Sequence, residues 1–273
     1  MTQTAASLPQ LATTVTGSGE PVVVLHGFTG SAEAMRPLIE RLDRWRCVAV
    51  DLLGHGRSPS PPEGALYSVE AAAQMVASVT AAMPCGPCHI VGYSMGGRVA
   101  LALATAHPQL CRSLTLISAT AGIADEHERA ERRAADARLA ERIGERGIDW
   151  FVDYWTALPM WRSLRANFSP ADWDASLRQR RRCHPTGLAN CLRHGGTGSM
   201  PPLWDQLATI TVPTLLLCGA LDAKFVTIGH QMHELLSHSA LAVMADAGHA
   251  VHLESPEECA RAIRRHLAAN SSS

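Results

Sequence analysis

"HIVGYSMGGRVA", residues 89–100, decides how the chain is read. A short apolar run meets a serine held between glycines, in the spacing Gly92-Tyr93-Ser94-Met95-Gly96. Gly-x-Ser-x-Gly alone is a weak pattern. It gains meaning where it ends a strand and opens a helix, because the tight turn exposes the serine oxygen and tolerates only small neighbours. Gly92, Gly96 and Gly97 supply that space. One helical turn further stands Arg98, a cation for which an ordinary serine nucleophile has no need.

Working outward, similar apolar runs recur: "PVVVLHG" (21–27), "RCVAVDLLGHG" (46–56), "SLTLISA" (113–119), "PTLLLCGA" (213–220) and, more weakly, "LAVMADAGH" (241–249). They are continuous rather than alternating, as strands buried on both faces are. Helical stretches at 32–43, 69–83 and 97–107 separate them. Repeated strand and helix predict an α/β fold, a mostly parallel sheet flanked by helices. The alternation stops after Ala119. From Gly122 to about Leu207 the chain is charged and aromatic with no strand pattern. The expected organisation is a core of residues 1–121 and 209–273, with 122–208 inserted between strands as a helical cap.

Composition narrows the function classes. The 47% hydrophobic fraction supports a sizeable core, and a net charge of −1 offers no basic field for nucleic acid. No apolar run approaches the roughly 20 residues of a membrane span. The first 17 residues lack the basic head and apolar centre of a signal peptide, so a cytoplasmic location is expected. Eight cysteines without scaffold spacing fit a reducing compartment. Cys85-Gly-Pro-Cys88 looks like a redox pair, but it precedes a strand instead of opening a helix and is read as coincidence. Lys224 is the only lysine, so an arginine here carries less information than usual. The terminal serines, 271–273, are expected to lack order. The expected partner is a small molecule, with no cofactor or metal ion; oligomeric state is left open.

A serine hydroxyl is inert near neutral pH without a base and an orienting acid. Asp222 follows the run "PTLLLCG", and His249 lies in "DAGHAVHLESPEE". Both should project from the carboxyl ends of strands, the edge where Ser94 lies and where open α/β sheets place their sites. His252 ranks behind His249 because the Gly-His pair sits on the strand-end loop. His230, His233 and His238 belong to a helix surface or its exit, and Asp246 is too close to His249 to brace it. The expected oxyanion donors are the backbone N–H groups of Met95 and Phe28. His26-Gly27 and "DLLGHGRS" (51–58) read as loop-shaping features.

The motifs "LHGFTGS", "DLLGHGRS", "GYSMGGR" and "AGHAVHLESPEE" together resemble the α/β-hydrolase superfamily over nearly the whole chain. That superfamily hosts many chemistries. The cap segments "GIADEHERAERRAADARLAERI", "FVDYWTALPMW" and "HPTGLANCLRHGGTGSMPPLW", with "GYSMGGRVALALA" and "LDAKFVTIGHQM", are more specific. They are similar to the 2-succinyl-6-hydroxy-2,4-cyclohexadiene-1-carboxylate synthases of menaquinone biosynthesis, the MenH family. The resemblance implies a lyase that eliminates pyruvate from 2-succinyl-5-enolpyruvyl-6-hydroxy-3-cyclohexene-1-carboxylate, a tricarboxylate. It implies carboxylate-binding roles for Arg98, Arg132 and Arg180, whose planar forks suit such groups, and places Tyr93 and Trp155 on the pocket wall. Nearby Arg129 and Arg133, and Arg178, Arg181 and Arg182, leave open which cap arginines face the pocket. Elimination transfers no acyl group, so Ser94 would serve as base and the two N–H groups would hold an enolate. Two alternatives stand beside this: an ester or thioester hydrolase with Ser94 as nucleophile, and a non-catalytic ligand receptor on the same fold.

Overall fold

The apolar runs become neighbouring strands of one sheet in the computed structural model, which describes residues 8–84 and 86–271. The strands are β1 Thr13–Thr16, β2 Pro21–Leu25, β3 Arg46–Val50, β4 Cys88–Tyr93, β5 Cys111–Ile117, β6 Thr214–Gly219 and β7 Ser239–Met244. Their spatial order is β1-β3-β2-β4-β5-β6-β7. β1 runs antiparallel to β3, and every other pairing is parallel. The helices are α1 Arg36–Ile39, α2 Val69–Ala81, α3 Met95–Ala106, α4 Glu126–Thr156, α5 Arg162–Asn167, α6 Pro170–Arg181, α7 Pro185–Gly195, α8 Ala223–Leu235, α9 Val251–Glu254 and α10 Pro256–Ala269.

Alternate residues of the central strands bury on opposite faces, which explains their unbroken apolar sequence. Val23 and Leu25 pack with Ile90, Leu114 and Leu116 on one face. Val22 and Val24 pack with Val91, Ile117 and Leu217 on the other. Each such side chain contributes about 1.5–3 kcal/mol when fully buried. A third, smaller cluster (Ile143, Phe151, Val152, Leu188 and Leu192) holds α4 and α7 together between β5 and β6.

Three features depart from the sequence reading. β1 carries no apolar run, because it is an exposed edge strand with all four residues solvated. The expected helix at 32–43 is a 3-10 turn, Ala32–Met35, running into the short α1. α4 is broken at Gly147, whose φ of 79° and ψ of −179° are not helical. Cys85, and with it the Cys-x-x-Cys pair, lies outside the described residues. So do residues 1–7 and Ser272 and Ser273. Among the described residues, no helix is long and apolar enough to cross a membrane.

Candidate active site

β4 ends at Tyr93 and α3 begins at Met95, so Ser94 occupies the turn between them with φ 51° and ψ −107°. Positive φ in a non-glycine residue costs about 1–3 kcal/mol and persists only where the surroundings impose it. Here the Ser94 N–H donates to the Ile117 carbonyl at 2.8 Å, and Arg98 N–H donates back to the Ser94 carbonyl at 3.1 Å. A Cβ on Gly92 would strike the backbone of Gly96 and Gly97, and one on Gly96 would strike the Leu25 and His26 carbonyls. The glycines are therefore demanded by close approach.

Ser94 Oγ lies 3.0 Å from His249 Nε2, and His249 Nδ1 lies 2.7 Å from Asp222 Oδ2. The arrangement fits a tautomer in which Nδ1–H donates to Asp222, leaving the Nε2 lone pair to accept the serine proton. His249 is buried, with Phe225 packed edge-on at 4.6 Å between ring centroids. The carboxylate of Glu254 clamps the loop on both sides of this histidine. The Gly248 N–H donates to Oε2 at 2.8 Å and the Ala250 N–H to Oε1 at 2.9 Å. Sequence reasoning passed over Glu254, because a glutamate five residues beyond a histidine signals nothing unless the loop is known to fold back.

Ser94, His249 and Asp222 open into a cavity of about 1040 Å³, whose wall also includes Phe28, Met95, Arg98, Arg132 and Trp155. Met95 is the first residue of α3, where backbone N–H groups lack intrahelical acceptors and the helix dipole is positive. Arg98 is 8% exposed and makes no ion pair among the described residues. Its Nη1 donates to the Gly195 carbonyl at 2.6 Å. Burial, and secondarily the charge of Arg132, pull its pKa down to about 10, with Asp136 opposing. Arg132 Nε donates to both carboxylate oxygens of Asp136, at 2.9 and 3.0 Å. Burial pushes the Asp136 carboxyl up, and Arg132 holds it back. Trp155 stands edge-on to Phe28 at 5.2 Å, its indole Nε1 buried without a partner.

Tyr93 and Arg180 occupy a different place from the one expected. They line an adjoining cavity of about 300 Å³ with Trp161 and His252, and Phe28 belongs to both walls. The reason is the pleat of β4: Tyr93 follows Val91 into one face of the sheet, and the turn carries Ser94 away from it. Arg180 is the arginine of the last α6 turn that faces inward. Its Nη1 donates to Thr29 Oγ1, and its guanidinium lies 4.5 Å above the Trp161 ring. Arg178 is exposed, Arg181 pairs with Asp149 and Asp153, and Arg182 pairs with Glu33. On α4, Arg129 and Arg133 donate to backbone carbonyls, leaving Arg132 on the wall of the Ser94 cavity.

The remaining histidines have structural surroundings. His26 Nε2 accepts from the Leu52 N–H at 3.0 Å, and His55 Nε2 accepts from the Thr29 N–H at 3.3 Å. His252 is buried against Tyr93, ring centroids 4.3 Å apart. His230, His233 and Asp246 are exposed. No group of three or more His, Cys, Asp or Glu side chains among the described residues could hold a metal ion.

Sheet order, elbow and the Ser94, His249 and Asp222 chain define the class, and a family profile for the alpha/beta hydrolase fold matches residues 20–256. The chain belongs to the α/β-hydrolase fold family and, within it, to the MenH family of 2-succinyl-6-hydroxy-2,4-cyclohexadiene-1-carboxylate synthases. It is 38% identical to a Bacillus subtilis (strain 168) protein provisionally named as that synthase, over 88% of this chain and 87% of the relative. Identity to the synthase of Salmonella arizonae is 31%, over 88% and 90% of the two chains. MenH from S. aureus superimposes with a TM-score of 0.90 at 30% identity, covering 95% of this chain and 99% of that one. A thermophilic esterase from Thermogutta terrifontis superimposes at 0.82 with 28% identity, over 96% and 94%.

Proposed function

We propose that this chain acts on a small molecule as a carbon-oxygen lyase, converting 2-succinyl-5-enolpyruvyl-6-hydroxy-3-cyclohexene-1-carboxylate to 2-succinyl-6-hydroxy-2,4-cyclohexadiene-1-carboxylate and pyruvate. The observation that carries the reading is the pairing of an activated serine with Arg98, a buried cation that makes no ion pair among the described residues, the nearby Asp136 carboxylate being engaged by Arg132. A buried charge with no ion pair is costly, and a substrate carboxylate would pair with it directly.

The bond changes follow from the two ring names. Ser94 Oγ takes the proton from ring carbon 2, beside the succinyl ketone, while its own proton passes to His249 and Asp222 steadies the imidazolium. Negative charge gathers on the ketone oxygen, facing the N–H groups of Met95 and Phe28. As it returns, carbons 2 and 3 become doubly bonded, the old double bond moves to carbons 4 and 5, and the carbon 5–oxygen bond breaks. The departing enolpyruvate takes up at carbon the proton that His249 gives back, becoming pyruvate and returning the imidazole to its neutral form. Arg98 and Arg132 orient carboxylates in the main cavity, with Trp155 as an aromatic wall. Arg180 and Tyr93 serve a carboxylate approaching past Phe28 from the adjoining cavity. Residues 122–208 act as one cap that brings Arg132 and Arg180 over the core.

Likeness to an esterase supports a second reading, ester hydrolysis with Ser94 as nucleophile. Comparing kcat/KM for the tricarboxylate with that for neutral aryl esters separates the two. Preference for the tricarboxylate with pyruvate release is expected, and preference for the esters without it would overturn the lyase assignment.

A further inference from the structure

The loop that carries Phe28 is gripped from the cap by the last turn of α6 and the two residues that follow it. Gln179 Nε2 donates to the Thr29 carbonyl at 3.3 Å and to Ser31 Oγ at 3.2 Å. Arg180 donates to the Thr29 hydroxyl, Cys183 Sγ lies 3.6 Å from the Thr29 carbonyl, and Arg182 pairs with Glu33. Gln179, Arg180 and Cys183 thus converge on Thr29, while Gln179 and Arg182 reach on to Ser31 and Glu33, across about 150 residues of sequence. Thr29 has φ 65°, a conformation a threonine holds only when its neighbours enforce it. The core anchors the loop through amides: Thr29 N–H to His55, Ala32 N–H to Asp51 at 2.7 Å, and Gly30 N–H to the Gly27 carbonyl at 2.9 Å. Hydrogen bonds to the Thr29 carbonyl and to the Thr29 and Ser31 hydroxyls come from the cap.

We infer that the end of α6 sets the oxyanion loop, with Gln179 as the positioning residue, so that seating the cap and aiming the Phe28 N–H are one event. The inference rests on the reading of Phe28 as an oxyanion donor. Gln179 does not reach the Ser94 cavity; it acts on the reacting oxygen through the loop. Gln179 holds the Thr29 carbonyl, two peptides on from the one that carries the Phe28 N–H, so loosening it frees the segment between to turn that N–H away from the reacting oxygen. A lid that only covers substrate needs no such contacts. Their loss slows chemistry here rather than weakening capture.

The test reads the oxyanion hole without the natural substrate. A p-nitrophenyl alkylphosphonate reacts as Ser94 Oγ bonds to phosphorus, p-nitrophenolate leaves, and the hydroxyl proton passes to His249. The phosphoryl oxygen occupies the oxyanion position. Gln179→Ala and the isosteric Gln179→Glu, which keeps the bulk but not the N–H donors, are each expected to slow p-nitrophenolate release about tenfold. Their thermal midpoints should match wild type, and Arg178→Ala on the exposed side of α6 should react at the wild-type rate. Should either variant fail to fold, Ser31→Ala removes the acceptor from the core side and is expected to slow the reaction about threefold. With the tricarboxylate, kcat falls in the Gln179 variants while KM stays within about twofold. Wild-type rates in Gln179→Glu and Ser31→Ala overturn the inference, as does a wild-type serine that the phosphonate fails to modify. A wild-type chain releasing no pyruvate sinks the lyase reading alone and leaves the phosphonate comparison intact.

Discussion

Arg98 and Glu254 divide the labour of the site at the scale of single residues. Arg98 is a cation held ready: its guanidinium touches one carbonyl, is drawn down to about 10 by burial, and faces the space beside Ser94. Arg98→Ala should therefore lose about 2–5 kcal/mol in kcat/KM for the tricarboxylate, read from steady-state pyruvate release. Arg98→Lys should recover only part of this, since an ammonium cannot match a planar fork. Glu254 works on the loop that carries His249. Converting it to glutamine replaces one accepting oxygen by a donor facing an N–H, so His249 loses its two-sided clamp. A fall in kcat of about 10- to 100-fold at unchanged circular dichroism is expected; unchanged kcat would show that the loop needs no clamp. Ser94, Asp222 and His249 were legible in the sequence because each sits where an apolar run ends. Glu254 was not, because its role depends on the path of the loop and not on spacing. Arg180 was legible only by resemblance, since nothing in "RQRRR" distinguishes the one that turns inward.

At the scale of elements, the buried strands were legible, the β7 edge weakly so, and the β1 edge was not. Burial on both faces is what makes a strand's sequence continuously apolar, which is why β1, with four exposed residues, escaped the reading. The cap helices were legible as helical material, but the break in α4 was not, since glycine inside a helix and glycine at a kink look alike in sequence. The two glycines of α4 make opposite predictions. Gly147 sits at φ 79° and ψ −179°, a region that side chains avoid, with open space around it. Gly147→Ala should destabilise by about 1–3 kcal/mol through the backbone alone. Gly144, within the helix and equally unobstructed, should give a gain of about 0.4–1 kcal/mol as Gly144→Ala. Urea unfolding of the two variants checks both signs, and a stabilising Gly147→Ala would mean the kink is not required.

Across the whole molecule, the buried histidines make stability depend on pH. Burial holds His55 and His252 at about 3, with His26 and His249 respectively lowering them further. Unfolded, each returns to about 6.5. Between about 6.5 and 3 the unfolded chain binds protons that the folded chain refuses, so stability is complete above that window and falls as pH drops through it. The loss of urea resistance from about pH 7 to about pH 5 should shrink in His252→Leu, which leaves no imidazole to charge; an unchanged loss would place the effect elsewhere. The sheet and the helical insertion together set Ser94 and His249 in one cavity with Arg98 and Arg132, and Arg180 in the cavity adjoining it. The most direct measurement follows pyruvate and the ring diene together from the enolpyruvyl tricarboxylate, for wild type and Ser94→Ala, with and without deuterium at ring carbon 2. Equimolar products, a slowing by deuterium, and a loss of about 100- to 10,000-fold in Ser94→Ala are predicted. Pyruvate formed without diene, or at an undiminished rate in Ser94→Ala, would contradict the account.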